Sequence, residues 1–152
     1  MKIELSFENR VILLKYKKEN RKKLIFLKEY KQWFNYLLDG VEMEITEKTI
    51  NDVEIVFLNG RLDAYNSNLV ENKLDELIDS GKIKMVADLS GVEYISSSGL
   101  RVMLSSLKKL NKLGGTLKLS SLQPYVMEVF EIAGFTQLFQ IYDSEDGAVA
   151  SF

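Results

Sequence analysis

The chain has 152 residues, a formal net charge of −2 and a hydrophobic fraction of 46 %, and it contains neither cysteine nor histidine. This composition excludes disulfides, thiolate metal sites and a hydrolase of the Ser-His-Asp type. The length indicates one domain, and the apolar fraction is sufficient for a packed core.

The first 42 residues differ in composition from the rest of the chain. They contain ten Lys/Arg and six Asp/Glu, whereas residues 43–152 contain ten and sixteen, so the net charges are +4 and −6. A weak apolar pattern predicts a helix from about Leu24 to Leu38. Because Met43 could itself serve as the start, two interpretations stay open. Residues 1–42 are either a real N-terminal extension or an upstream extension from a mis-assigned start codon.

The lysines and aromatic residues of this basic stretch do not separate into two faces of a helix. We therefore predict neither a nucleic acid nor a membrane as a partner. No apolar run in the sequence approaches the roughly 20 residues that cross a bilayer, and the N-terminus does not resemble a signal peptide. We expect a cytoplasmic protein.

From residue 43 onward, strand and helix patterns alternate, which predicts an α/β fold with a mostly parallel sheet. An opening hairpin is predicted at Glu44–Thr49 and Val53–Leu58, with Asn51-Asp52 as its turn. The apolar faces of the first and third helices include Leu69 and Ile132. The remaining predicted elements are, in chain order, a helix Ser67–Asp79, a buried strand Lys84–Leu89, a helix from about Ser98 to Leu113, a strand Thr116–Ser120, a helix opening at Gln123-Pro124, a strand Leu138–Tyr142 and a short helix Asp143–Ala150.

The segment from Asp88 to Arg101 reads DLSGVEYISSSGLR. A buried strand ends there, a short loop follows, and a helix begins at three serines and a glycine. Such a helix start is predicted to expose hydroxyls and free backbone N–H groups, which favour negative charge. Two interpretations remain open from the residues alone: one serine caps the helix and the others are solvated, or one serine carries a covalent phosphate.

Residues 88–135, together with Gly60-Arg61-Leu62-Asp63, resemble STAS domains of the anti-sigma factor antagonist family. The resemblance extends from about Met43 to Phe152. It implies a single STAS domain with a mixed sheet of about five strands, opened by a hairpin, with helices packed on it. Residues 1–42 would then lie outside that domain.

The resemblance also implies a function in partner switching. The unphosphorylated protein would bind an anti-sigma factor that is a serine kinase, and would thereby free a sigma factor for transcription. Phosphorylation of Ser97 would release the kinase, and a PP2C-type phosphatase would remove the phosphate again. The protein would be no enzyme and would need no metal or cofactor. The alternative is a STAS scaffold subunit of a stress-signalling complex or a lipid-transport ATPase.

According to the resemblance, Ser97 corresponds to the first serine of the family's signature motif. Ser96 occupies the position at which the family most often has Asp. The implied partner-binding residues are Asp63, Ser96, Ser97, Ser98, Gly99 and Arg101.

Other clusters in the sequence are interpreted as structural. Asp63, Asp88 and Glu93 could be read as metal ligands, but solvated or capping roles are expected for them. The lysines Lys108, Lys109 and Lys112 are expected to form a solvated helix face. Gly114-Gly115 is interpreted as a helix-ending turn, because no G-K-[ST] follows it.

Overall fold

The computed structural model describes residues 7–8, 11–12 and 43–152. Strands β1 (Phe7–Glu8) and β2 (Val11–Ile12) form a small antiparallel pair within the unit Met1–Leu37, and a second unit spans Leu38–Phe152. The helix predicted at Leu24–Leu38 lies outside the described residues. The boundary near residue 42 stays a prediction.

Residues 43–152 form an α/β fold with one five-stranded sheet, in which the strands lie side by side in chain order. The first two of these strands are antiparallel and the others pair in parallel. This confirms the predicted mixed sheet opened by a hairpin. The strands are β3 (Glu44–Ile50), β4 (Val53–Leu62), β5 (Lys84–Ile95), β6 (Thr116–Ser120) and β7 (Ile141–Tyr142). The helices are α1 (Ser67–Asp79), α2 (Ser97–Lys112), α3 (Pro124–Ile132) and α4 (Glu145–Ala150), with a short 3-10 turn at Phe135–Gln137.

The hairpin turn is as short as its sequence predicts. Ile50 pairs with Val53, so only Asn51 and Asp52 connect the two strands. Asn51 adopts a φ of 54°, a left-handed conformation that asparagine tolerates better than most residues. The turn therefore fixes the register of β3 on β4.

The core lies on the sheet face that α1, α2 and α3 cover. The buried residues of that face include Leu58, Leu62, Val70, Leu74, Met103, Leu110, Val126 and Phe130. On the opposite face, α4 covers a smaller cluster through Ala148. Lys118, also on that face, donates to the carbonyl and hydroxyl oxygens of Ser151 at 2.8 and 2.7 Å. Helices therefore cover both faces of the sheet, with α1, α2 and α3 on one face and α4 on the other.

Two predicted core residues are exposed. Ile132 is 80 % exposed and Leu69 is 45 % exposed, so their assignment to the apolar helix faces was wrong. The chain turns at Gly134 with a φ of 73°, and Phe135 then packs edge-on against Phe130, with the ring centroids 6.0 Å apart.

Several predicted strand boundaries were also wrong. Strand β4 continues beyond Leu58 to Leu62, and β5 continues through the predicted loop to Ile95. The two strands stay paired across register shifts, and a Cβ on Gly91 would lie 2.7 Å from Oδ1 of Asn59. Conversely, the last strand begins only at Ile141, and Leu138, its predicted first residue, is the C-cap of the 3-10 turn.

Candidate functional site

The candidate site is the junction where β5 ends and α2 begins, beside the end of β4. Ser96 stands between the two elements with an extended backbone, and its Oγ accepts a hydrogen bond from the backbone N of Gly99 at 3.2 Å. Serine is among the preferred N-cap residues because its oxygen satisfies one of the N–H groups that a helix start leaves free. Of the three serines at the helix start, Ser96 is therefore the one that caps the helix.

Ser96 also ties the helix start to β4. Its backbone N donates to the carbonyl oxygen of Leu62 at 2.9 Å, and its Oγ donates to the same oxygen at 3.2 Å. Gly99 packs on this residue as well, since a Cβ at position 99 would lie 2.7 Å from both Cγ and O of Leu62. Ser96, Gly99 and Leu62 thus form a closely packed unit, which we call the Leu62 junction.

Ser97 is the first residue of α2. Ser97 is exposed and Ser98 is half-buried. Within residues 43–152 the structure gives neither hydroxyl a hydrogen-bond partner, and the first turn of α2 contains no acidic residue. A phosphate on Ser97 would accordingly meet solvent and backbone N–H groups, with no carboxylate in that turn to oppose it.

Residues 63–67, which we call the Asp63 turn, follow directly after Leu62. Oδ1 of Asp63 accepts hydrogen bonds from the backbone N of Tyr65 at 3.1 Å and of Asn66 at 3.0 Å. Its carbonyl oxygen accepts one from Oγ of Ser67 at 2.5 Å. The carboxylate orders the turn before α1, which agrees with the capping role expected for it. The turn also presents Tyr65, which is 77 % exposed.

Two arginines lie near the junction in sequence. The guanidinium of Arg61 lies over the ring of Tyr94, 4.3 Å from its centroid, on the neighbouring strand. Arg101 is exposed on α2, four residues after Ser97. Residues at that spacing share one helix face. The structure therefore brings all six predicted partner-binding residues to one region, through the Leu62 junction and the first turns of α2.

Asp88 lies on β5, eight residues before Ser96, and was expected to be solvated or capping, but it is only 3 % exposed. Its Oδ1 accepts from the backbone N of Ser90 at 3.0 Å and from Oγ of Ser90 at 2.5 Å, and its Oδ2 accepts from Oγ of Ser120 at 2.7 Å. Burial raises the pKa of Asp88, but the hydrogen bonds from Ser90, Ser120 and Ser121 outweigh it and leave the pKa below its ordinary value. The carboxylate therefore joins β5 to β6 in its charged form.

No group of three or more candidate metal ligands exists within residues 43–152, and Glu93 is exposed. The lysine cluster is only partly as expected, because Lys109 contacts both carboxylate oxygens of Asp75 at 2.7 Å and links α2 to α1. The side chain of Lys109 is still 41 % exposed, so it lies on the expected solvated face and in addition forms an ion pair.

The comparison with known families decides the assignment of the fold. Residues 44–148 match the family described as the STAS domain. This protein belongs to the STAS domain family. BtrV of Bordetella bronchiseptica, a candidate anti-sigma factor antagonist, is 39 % identical to this STAS protein over 110 residues, covering 72 % of this chain and 95 % of BtrV. The anti-sigma F factor antagonist of Paenibacillus polymyxa is 30 % identical over 110 residues, covering 72 % of this chain and 94 % of that protein.

Solved structures agree with the STAS assignment. A candidate anti-sigma factor antagonist from Thermotoga maritima superposes with a TM-score of 0.68 at 30 % identity, covering 70 % of this chain and 92 % of its own. The unphosphorylated form of the anti-sigma factor antagonist SpoIIAA shares the fold, with a TM-score of 0.62 at 19 % identity and coverage of 70 % and 93 %. Within the described residues, no helix is long and apolar enough to span a bilayer.

Sequence reasoning missed Leu62 and Tyr65 as parts of this region. The role of Leu62 depends on its carbonyl oxygen, which the residue type does not indicate. A capping serine three residues before Gly99 was a readable signal, because S-x-x-G after a strand fits an N-cap hydrogen bond to the third helical N–H. Tyr65 is an aromatic residue in a turn, and its exposure becomes clear only in the fold.

Proposed function

We propose that this STAS protein is an anti-sigma factor antagonist that switches partners in the cytoplasm. Unphosphorylated, it binds an anti-sigma factor that is a serine kinase; that kinase phosphorylates Ser97 and is released, and a PP2C-type phosphatase restores the binding form. The observation that carries this proposal is the exposed hydroxyl of Ser97, which has no hydrogen-bond partner within residues 43–152. It lies on the ordered surface made by the Leu62 junction and the Asp63 turn.

The chemistry of the surface supports phosphorylation as an off-signal. The start of α2 presents small neutral side chains at Ser97 and Ser98, which a partner can cover at little desolvation cost. A phosphate adds about −1.5 to −2 charges there. Burying an unpaired charge costs several kcal/mol, while about 1.4 kcal/mol already changes affinity tenfold. The helix itself tolerates the modification, because negative charge at its N-terminus is favourable.

The names of the curated relatives support this function over the alternative of a scaffold subunit. BtrV and the Paenibacillus polymyxa protein are both described as antagonists of anti-sigma factors, the former as a candidate. No feature of the site specifically favours a stress-signalling scaffold or a transport ATPase. The proposal assigns the chemical step to the kinase and the phosphatase, and no catalysis to this chain.

The test is capture of partners from native lysate on the immobilised full chain, with and without ATP, followed by mass spectrometry of partner and phosphosite. The unmodified protein should retain a serine kinase without ATP and lose it with ATP. Ser97→Ala should retain the kinase under both conditions and take up no phosphate. Ser97→Asp should bind the same purified kinase at least about tenfold more weakly.

Ser105→Ala is the matched control, because it removes a hydroxyl of the same helix outside the predicted partner-binding residues and should still be phosphorylated and released. Phosphate on Ser96 or Ser98, with Ser97→Ala still modified, would contradict the residue assignment. Failure to retain any kinase would contradict the partner assignment.

A further inference from the structure

Arg101 differs from most cationic residues of the domain because it has no partner among the residues that the structure describes. Residues 43–152 contain ten Lys and Arg. Seven of them contact a carboxylate, a hydroxyl or carbonyl oxygen, or an aromatic ring: Lys48, Arg61, Lys73, Lys82, Lys84, Lys109 and Lys118. Within that range the structure gives no ion pair, hydrogen bond or ring contact to Arg101, Lys108 or Lys112.

Only Arg101 among these three lies near the candidate site. Ser97 and Arg101 are both exposed and are separated by one helical turn. Side chains at i and i+4 are neighbours on a helix, and an anion on the N-terminal residue with a cation on the C-terminal one is the favourable orientation. Lys108 lies eleven positions after Ser97, about 16 Å along the helix axis, which is too far for a direct ion pair.

We propose that Arg101 is the built-in counter-ion of a phosphate on Ser97. The guanidinium donates charge-assisted hydrogen bonds to the phosphate oxygens, as arginine does to phosphates generally. The inference rests on the proposed function, because it concerns the phosphorylated state of the same serine. Phosphorylation then changes the partner-binding surface in two ways. It adds negative charge at Ser97, and it makes the guanidinium of Arg101 unavailable to a partner.

The geometry favours Arg101 over the other nearby arginine. Arg61 already lies over the ring of Tyr94 at 4.3 Å, and a move to the phosphate would give up that contact. Arg101 gives up no contact of the described residues, and no acidic side chain in the first turn of α2 competes for it.

The experiment uses the full chain with phosphoserine placed at position 97 during synthesis by an expanded genetic code, so that no kinase is needed. The second ionisation of the phosphate, ordinarily near pH 6, is followed by phosphorus NMR as the pH is raised. A nearby cation favours the dianion and lowers this pKa. The midpoint should therefore be about 0.2–0.4 units lower in the unsubstituted protein than in Arg101→Gln, the shift that corresponds to a helical ion pair.

The control variants separate the ion pair from net charge and from folding. Lys108→Gln removes the same charge from an exposed, unpartnered position and should titrate like the unsubstituted protein. Arg101→Lys should keep most of the shift, and about 1 M salt should abolish the difference between the unsubstituted protein and Arg101→Gln.

Equal midpoints in the unsubstituted protein and Arg101→Gln, or a rise in Arg61→Gln alone, would overturn the proposal. Because the phosphoserine is incorporated during synthesis and no kinase is used, this outcome is distinct from a failure of kinase binding, which tests the proposed function.

Discussion

Asp88 is a buried carboxylate that hydrogen bonds keep ionised. Three donors from Ser90 and Ser120 contact its two oxygens, from its own strand and from β6. Since the pKa of Asp88 is lowered in the fold, the native state binds the proton more weakly than the unfolded chain does. Its contribution to stability is therefore present above the unfolded pKa, near 4, and is lost as the pH falls through the lower folded value.

We predict that Asp88→Asn lowers the free energy of unfolding by about 1–3 kcal/mol at pH 7, because an amide cannot accept from all these donors. The variant should also lose less stability than the unsubstituted protein between about pH 5 and pH 2, so that the two curves converge in acid. Urea denaturation across this pH range measures both effects.

Glu93→Gln is the matched control, since Glu93 is an exposed carboxylate on the same strand. It should change stability little at pH 7. Parallel pH curves for Asp88→Asn and the unsubstituted protein would contradict the assignment of a lowered pKa.

Helix α2 depends on Ser96 for its first turn. The Oγ of Ser96 accepts from Gly99 and donates to Leu62, so one hydroxyl serves both the helix and the sheet. An ionised aspartate, the residue most often expected here from the family resemblance, could accept from the helix but could not donate to a carbonyl. Serine at this position therefore keeps the cap and adds a tie to β4.

We predict that Ser96→Ala lowers the free energy of unfolding by about 1 kcal/mol, the usual value of an N-cap. Ser96→Thr, which keeps the hydroxyl, should lose clearly less. Thermal denaturation at neutral pH measures the difference, and Ser98→Ala, which removes a hydroxyl without a partner, provides the comparison. A loss in Ser98→Ala as large as in Ser96→Ala would contradict the capping role.

The sequence predicted most elements because local patterns determine them. Ser67–Asp79 coincides with α1, and proline opens α3 at its first position as expected. The extended ends of β4 and β5 could not be predicted, because glycines at positions 60 and 91 indicate a turn locally. They are paired in the fold despite shifts in register. The closeness of Leu62 to Ser96 follows from that pairing and from no local pattern.

At the scale of the whole molecule, the main hydrophobic cluster of the described residues lies within residues 43–152. Met43 is 5 % exposed and belongs to the main hydrophobic cluster of that unit. All five strands of the larger sheet lie within it. The division of the chain into the units Met1–Leu37 and Leu38–Phe152 is compatible with separate folding.

We predict that a protein beginning at Met43 unfolds cooperatively and binds the kinase as well as the full chain does. Calorimetry and circular dichroism should give one coincident transition, as expected for a two-state domain. A shorter protein beginning at Val53, which lacks β3, should lose that cooperativity because β4 becomes an uncovered edge. Loss of cooperative unfolding in the longer of the two would show that residues before Met43 contribute to the core.

The Leu62 junction has a consequence for the thermodynamics of association. Each flexible side chain that a partner must immobilise costs about 0.5–1.5 kcal/mol of entropy at an interface. Here the capping hydroxyl of Ser96 and the close contact of Gly99 with Leu62 order the backbone around Ser97 during folding. A partner would therefore meet a preorganised surface, on which rigid-body docking is expected and the affinity can respond steeply to one added phosphate.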